Sequence, residues 1–373
     1  MAFNSKVSKE LNKELILSCI KKEELISKVE ISKITGISLP SVSKIVDELV
    51  EEGRIIEFGV GDSSGGRRPV LYKFNSNFRY FIIIIINKVY MSIYLINLDG
   101  DVIGEDKIAI EGADDNDVIF SITSGISRTL SNYNIFIGKL SNICIAAPGY
   151  FDYEKNKFLI NGIPAIRAID LHEKLCKKFP NVEIKFVSDI HMTALGEWAK
   201  IKNKYEKKRI VVIDIDRDLK ENACFAIIDN GSILKPGRGY LGRIEKDMID
   251  MADITTLKKN GYEEVGKLIN DAKAKKTKAI NLLTNLLNFL AQTIKHILHY
   301  VDPDSIIFHG YIAHQSLIEA VKVKLQEENL ACDIQKSLLN EKATLYGCIE
   351  ETLSNLFSQD ERFRKIYNVD FYK

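Results

Sequence analysis

Between Ser27 and Phe74 the chain reads SKVEISKITGISLPSVSKIVDELVEEGRIIEFGVGDSSGGRRPVLYKF, and no other stretch constrains the fold as tightly. Ser27, with Glu30 three residues on, forms an S-x-x-E capping box at a helix start. Gly36 supplies the positive φ that ends a helix in a sharp turn. Ser38 is placed to cap a second helix, with Pro40 tolerated in its first turn. From there Val42, Ile45, Val46, Leu49 and Val50 recur at helical spacing and make one narrow apolar stripe. Gly53 stops that helix. Segments 54–58 and 69–74 then read as strands bracketing a Gly-Gly-Arg-Arg tip. Helix, tight turn, helix and ribbon in this order predict a winged helix-turn-helix, whose second helix enters the major groove of DNA.

The candidate DNA contacts are Ser38, Ser41, Ser43 and Lys44, since short hydroxyls and one cation near a helix start suit phosphates and base edges. Arg67 and Arg68 at the ribbon tip suit phosphate or a narrow minor groove. Taken singly, each helix also fits a small helical subdomain, and a lone charged hairpin is most simply solvated. The ordered combination is what carries the DNA reading. It requires Asp47, Glu48, Glu51 and Glu52, late in the second helix, to face away from the phosphates. A preceding helix carrying Leu11, Leu15, Ile16, Cys19 and Ile20 is expected to pack on the pair.

A chain of 373 residues has room for two or three domains with sizeable cores. Its formal net charge of +1 provides no global basic field, so local placement of cations matters more than the sum. The 6 cysteines are scattered with no C-x-x-C pair, which argues against a zinc ribbon or a disulfide framework and fits reduced cytosolic thiols. The apolar run from Tyr80 to Ile86 is too short to span a bilayer and reads as a buried strand. A cytoplasmic protein without membrane association is expected.

After an Asn75-Ser76-Asn77 seam the pattern becomes α/β. A hairpin is expected over 81–86 and 91–97, then a strand over 102–108, a helix over 116–133 and a strand over 142–147 that ends at Pro148-Gly149. A helix over 171–179, a strand over 183–187 and a helix over 192–202 follow, with further strands at 209–215 and 223–228. The longest helix is expected over 279–301, then a strand at 305–308 and helices at 317–327 and 341–356.

This order resembles the ROK family, which unites repressors and sugar kinases on an actin-like, hexokinase-like fold. The residues that carry the resemblance are the Gly-Gly-Arg-Arg-Pro wing, the Leu98-Asp99-Gly100 hairpin end and Ile145-Ala146-Ala147-Pro148-Gly149. Asp189 followed by Ala194-Leu195-Gly196-Glu197, the Gly231 hairpin and Ser305-Ile306-Ile307-Phe308-His309-Gly310 complete it. The resemblance implies an N-terminal winged helix-turn-helix over 1–77 and a two-lobed ROK body over 78–373. The first lobe would hold 78–187 plus the C-terminal helix near 341–373, and the second 188–340. It further implies a homodimer or higher homo-oligomer that binds a double-stranded DNA operator and represses carbohydrate-related genes.

The family's kinase motifs are altered. Its first phosphate loop, D-x-G-x-T, aligns with Ile85, Asn87 and Val89, which lack the metal-holding acid, the permissive Gly and the hydroxyl. The second, a glycine series, aligns with Lys220-Glu221-Asn222-Ala223-Cys224-Phe225-Ala226, where each added Cβ narrows the approach to phosphate. The family's G-E-x-G-H aligns with Gly242-Arg243-Ile244-Glu245-Lys246, and the cysteine-rich zinc loop is missing. No enzyme activity, no ATP or other cofactor and no metal are therefore expected. An active sugar kinase fused to a DNA-binding head and a ligand-free scaffold regulator are the alternatives.

The candidate effector residues are Asp189, Asn161, Arg243 and Lys246, for a sugar, sugar acid or sugar phosphate. Two cations in place of an acid and a His favour an anionic ligand. The competing reading is a closed pocket in which they are solvated or paired. Asp189 equally suits a helix cap. Glu197 reads as a first-turn or surface acid, and His191 and His309 as isolated polar residues whose bonds are satisfied locally.

Overall fold

Residues up to Tyr80, with Ile96–Asp101, form one compact unit of the computed structural model; Phe81–Leu95 and Val102–Phe357 form the other. The structure describes residues 5–61, 68–87, 89–110, 115–152, 157–161, 171–205, 208–215, 223–235, 242, 244 and 256–357. No described helix is long and apolar enough to cross a membrane.

The first unit contains α1 (Ser5–Glu23), β1 (Ile26–Ser27), α2 (Lys28–Thr35), α3 (Leu39–Glu51), β2 (Ile55–Val60) and β3 (Val70–Phe74). The strands form one sheet in the order β1-β3-β2. The capping box forms as expected: the Ser27 hydroxyl accepts from the Glu30 amide, and the Ser27 amide donates to the Glu30 carboxylate at 2.9 Å. Gly36 takes φ 70° and donates to the Ser32 carbonyl, so the turn into α3 uses the backbone freedom that only glycine has at no cost. Val42, Ile45, Val46 and Leu49 are buried together with Ile16, Ile20, Ile31 and Ile55. Each such side chain contributes about 1.5–3 kcal/mol of burial. Leu11 departs from expectation and is exposed, while Leu17 takes a core place instead. The helix is rotated so that Lys9 and Lys13 meet α3, which turns position 11 outward.

Lys9 and Lys13 hold Glu48, and Lys13 also holds Glu52. The hydrogen bond it donates to Glu52 and the neighbouring charges keep the Lys13 ammonium above the usual lysine value despite its burial. Two of the four late acids of α3 therefore face α1. Asn75 closes the base of the ribbon, its side-chain amide donating to the Gly53 carbonyl at 2.8 Å. The turn at 96–101 joins this unit through the Leu98 amide, which donates to Ser76, and through Lys21, whose ammonium donates to the Leu98 carbonyl at 2.8 Å.

In the second unit, β4 (Tyr80–Ile86), β5 (Tyr90–Asn97), β6 (Val102–Ala109), β7 (Leu140–Ala147) and β10 (Glu183–Ser188) build a sheet in the order β10-β7-β4-β5-β6. The isoleucine run lies on its central strand, where Phe81, Ile82, Ile83, Ile84 and Ile86 are buried. A strand covered on both faces has no reason to alternate polar and apolar residues. A hairpin of β8 (Gly149–Asp152) and β9 (Lys157–Asn161), with α4 (Asp115–Asn132) and α5 (Leu171–Lys178), completes this part.

The second sheet contains β11 (Arg209–Ile215), β12 (Ala223–Asp229), β13 (Ser232–Ile233), β14 (Ser305–Gly310) and β15 (Ile334–Lys336), in the order β13-β12-β11-β14-β15. β11 pairs in parallel with β14 and antiparallel with β12. Its helices are α6 (Asp189–Tyr205), α7 (Val265–Lys273), α8 (Thr277–Tyr300), α9 (Gln315–Glu327) and α10 (Ala343–Phe357). α6 begins three residues earlier than the expected 192, and α7 was not anticipated. With Val265, Leu268 and Ile269 as its buried face, α7 shows too few apolar repeats to stand out from a charged stretch.

α6 and α10 cross in close contact because each carries a glycine at the crossing. A Cβ on Gly196 would stand 2.9 Å from the Gly347 amide nitrogen, and one on Gly347 would stand 3.0 Å from that of Gly196. Beside this contact the Thr193 and Thr344 hydroxyls share a hydrogen bond of 2.8 Å.

Candidate functional site

α3 is presented by the turn at Gly36 and by the apolar stripe that fixes its roll. Ser38 occupies the N-cap position (φ −58°, ψ 139°), but its hydroxyl makes no capping bond. It donates instead to Ser41 Oγ at 2.9 Å, which corrects the expected side-chain role. Pro40 relieves the loss, since the first-turn amides of a helix lack intrahelical partners and proline has none to satisfy.

Ser43 accepts a hydrogen bond of 3.1 Å from the Lys28 ammonium. Lys28 also pairs with Asp47 and lies over the Tyr72 ring, 5.6 Å from its centroid. Burial works against the Lys28 charge, and the bonds to Asp47 and Tyr72 outweigh it, so the ammonium titrates above its usual value. Lys28 can only donate, so the Ser43 hydroxyl proton is left to donate outward. Sequence reasoning missed Lys28, because nothing in local periodicity links residue 28 to residues 43 and 47. Lys44 is exposed and has no ion-pair partner among the described residues. Arg68 is exposed at the foot of the wing; Arg67 lies outside the described residues. Leu39, also overlooked, is 44% exposed in the first turn of α3. It precedes Val42 and Val46 by three and seven positions, in phase with the buried stripe, so periodicity alone predicts it buried and only the fold shows it exposed.

The candidate effector residues are placed unevenly. Arg243 and Lys246 lie outside the described residues, as does the side chain of Asn161 at the end of β9. Asp189 is half-buried at the first position of α6, and its carboxylate accepts from the Ile190 amide at 2.7 Å. Beside it the buried Ser188 hydroxyl donates to the Gly149 carbonyl at 3.3 Å.

Glu197 corrects the sequence reading. It is fully buried and accepts from the Ser337 hydroxyl and from the Leu338 and Leu339 amides, at 3.0 and 3.1 Å for the amides. A buried carboxylate persists only when donors surround it, and here a distant loop supplies them. His191 is also buried, which pushes its pKa down to about 4, so the ring is neutral.

His309 ends β14 opposite Asp214 of β11. Its Nδ1 lies 3.0 Å from Asp214 Oδ1 and its Nε2 2.9 Å from the Asn340 carbonyl oxygen. Burial works against the imidazolium, but the Asp214 hydrogen bond and charge prevail and raise its pKa to about 9. Gly310 makes room for this pair: at φ +64° a Cβ there would stand 2.7 Å from the Ile215 carbonyl oxygen. In the β4–β5 turn, Asn87 Oδ1 accepts from the Val89 and Tyr90 amides at 2.9 and 2.8 Å, so the side chain is spent on its own turn.

A family described as winged helix-turn-helix DNA-binding matches residues 10–56. Over nearly its whole length the chain is similar to the xylose repressor of Caldicellulosiruptor bescii, at 23% identity, covering 96% of this chain and 99% of that protein. Among solved structures it is similar to a ROK family transcriptional regulator described as a homolog of the E. coli MLC protein. The TM-score is 0.65 at 18% identity, covering 92% of this chain and 96% of the other. A ROK hexokinase from Thermus thermophilus is similar to a smaller part, with TM-score 0.58, 13% identity, and coverage of 72% and 96%. These likenesses establish a winged helix-turn-helix followed by a mixed α/β body of the ROK fold.

Proposed function

We propose that the chain is a transcriptional regulator of the ROK family, which represses carbohydrate-related genes by binding an operator through residues 1–77. The observation that carries this reading is the presentation of α3. Its apolar stripe is buried, Glu48 and Glu52 are held by α1, and Ser41, Ser43 and Lys44 are left on the outer side. In this reading Ser38, Ser41, Ser43 and Lys44 meet the major groove, and Arg67 and Arg68 hold phosphate from the wing. A two-fold dimer would need half-sites one helical turn or a multiple apart.

The reading is tested by footprinting on genomic fragments and by a salt titration of the resulting complex. Arg67→Ala with Arg68→Ala weakens binding to all sequences alike and flattens the dependence of log K on log salt by roughly 1–2, at about 0.9 for each phosphate no longer neutralised. Unchanged affinity and slope would remove the wing from the interface.

The body, residues 78–373, is proposed to provide dimerisation and to hold an effector near Asp189, Asn161, Arg243 and Lys246, a sugar, sugar acid or sugar phosphate. Asp189 supports this only in part, because one of its oxygens already serves the start of α6. A thermal-shift panel of these three ligand classes separates an effector site from a ligand-free scaffold, since a ligand stabilises only the state that binds it.

Similarity to a ROK hexokinase fold keeps sugar phosphorylation as the second reading. Against it stands Asn87, whose side-chain oxygen is folded onto its own turn where the family's kinases are expected to hold metal and phosphate. A coupled kinase assay over a sugar panel is expected to show no ATP turnover above background. Sugar-dependent turnover would establish the enzyme.

A further inference from the structure

We propose that Leu39 is a specificity-determining residue that reads the 5-methyl group of one thymine in each operator half-site. The inference rests on the reading that α3 enters the major groove. Leu39 is the first residue of α3 and is 44% exposed, although the stripe of Val42, Ile45, Val46 and Leu49 has ample apolar neighbours to bury against. Positions 39 and 43 are four apart on one helix and so sit side by side. Lys28 occupies a lone pair of Ser43 and leaves its proton to donate. One apolar side chain beside one hydroxyl donor therefore faces outward, just ahead of the exposed Lys44.

The major-groove edge with matching chemistry is that of thymine, the only base with a methyl group there, which stands beside the O4 acceptor. A phosphate offers no partner for a leucine. A guanine edge offers two acceptors and no apolar group. Leucine at this place thus discriminates, whereas a cation there would add charge without preference.

The test begins with duplexes selected by the full-length protein from a random-sequence library. In the tightest duplex each thymine is replaced singly by deoxyuridine, which removes the methyl and nothing else, and affinity is read by fluorescence anisotropy. At one thymine per half-site the parent is expected to lose roughly 3–10-fold, in line with the burial of one methyl group. Leu39→Ala, at a position exposed enough to leave folding intact, binds the thymine duplex weaker by a similar factor and no longer distinguishes uracil from thymine. Circular dichroism of the variant confirms that it folds. A selected duplex indifferent to uracil at every thymine, or a Leu39→Ala protein that still discriminates as the parent does, overturns the role of Leu39 while DNA binding stands. Failure to select any duplex overturns both readings together.

Discussion

Gly347→Ala is expected to lower the melting temperature of the protein by a few degrees, up to roughly 8 °C, reversing the usual sign of a glycine-to-alanine change within a helix. In an open helix that change stabilises by about 0.8–1 kcal/mol, because glycine carries the greater backbone entropy in the unfolded chain. Gly347 is not in an open helix. A Cβ there would stand 2.6 Å from the Met192 carbonyl carbon and 3.0 Å from the Gly196 amide nitrogen, all backbone atoms of α6 that no rotamer change can move. The two helices must separate along the crossing, which loosens the Thr193–Thr344 bond and the burial around it. Overpacking of this kind costs about 1–3 kcal/mol and outweighs the entropic gain. A domain of this size moves roughly 2–4 °C for each kcal/mol. Gly266→Ala in α7 is the control, since its nearest neighbour would be a His314 ring atom at 3.5 Å, an ordinary van der Waals approach. Scanning fluorimetry should show Gly266→Ala unchanged or raised and Gly347→Ala lowered. Equal melting temperatures for the two variants would mean that the crossing has room for a methyl group.

Asp214 and His309 are expected to make stability fall with rising pH. The folded-state pKa of His309, about 9, lies above its usual 6.5. A group whose pKa is raised on folding contributes its full stabilisation below the unfolded value and loses it as pH rises through the folded value. The contribution is therefore present below about pH 6.5 and gone above about pH 9. The difference corresponds to about 3 kcal/mol as an order of magnitude, at about 1.36 kcal/mol per pKa unit. The pair is mostly buried, so solvent screens it little. Lys21 works in the opposite direction, because burial lowers its pKa to about 8 and its penalty fades as pH rises past that value. Urea unfolding of the parent and of Asp214→Asn between pH 6 and 10 isolates the pair by difference. The gap between the two should close by about 3 kcal/mol over that range; a gap that does not vary with pH would show that His309 is neutral throughout.

What could be read in advance follows interaction range. The capping box of Ser27 and Glu30, the glycine turn at Gly36 and the stripe from Val42 to Leu49 all join residues within a few positions of one another. Their physics is therefore written in spacing alone. The winged module and most of the strands and helices of the body were legible for that reason; the β8–β9 hairpin, α7 and β15 were not. The Ser38 hydroxyl was misjudged even at short range, because two local partners competed and the choice of Ser41 over a helix amide depends on atomic geometry.

The remaining features were decided by tertiary structure. Glu197 looks like a surface acid until a loop 140 residues away supplies three donors and makes its burial tolerable. Asp214 and His309 become an ion pair only because β11 and β14 lie in parallel register, and Lys28 reaches Ser43 only because α2 and α3 are folded against each other. Hydrophobic periodicity specifies which face of an element is buried, but it does not say which polar group from elsewhere will be waiting there. Burial makes an unmatched polar group costly, so the identity of that partner, which only the folded chain determines, governs the charge state of residues such as Lys28 and His309.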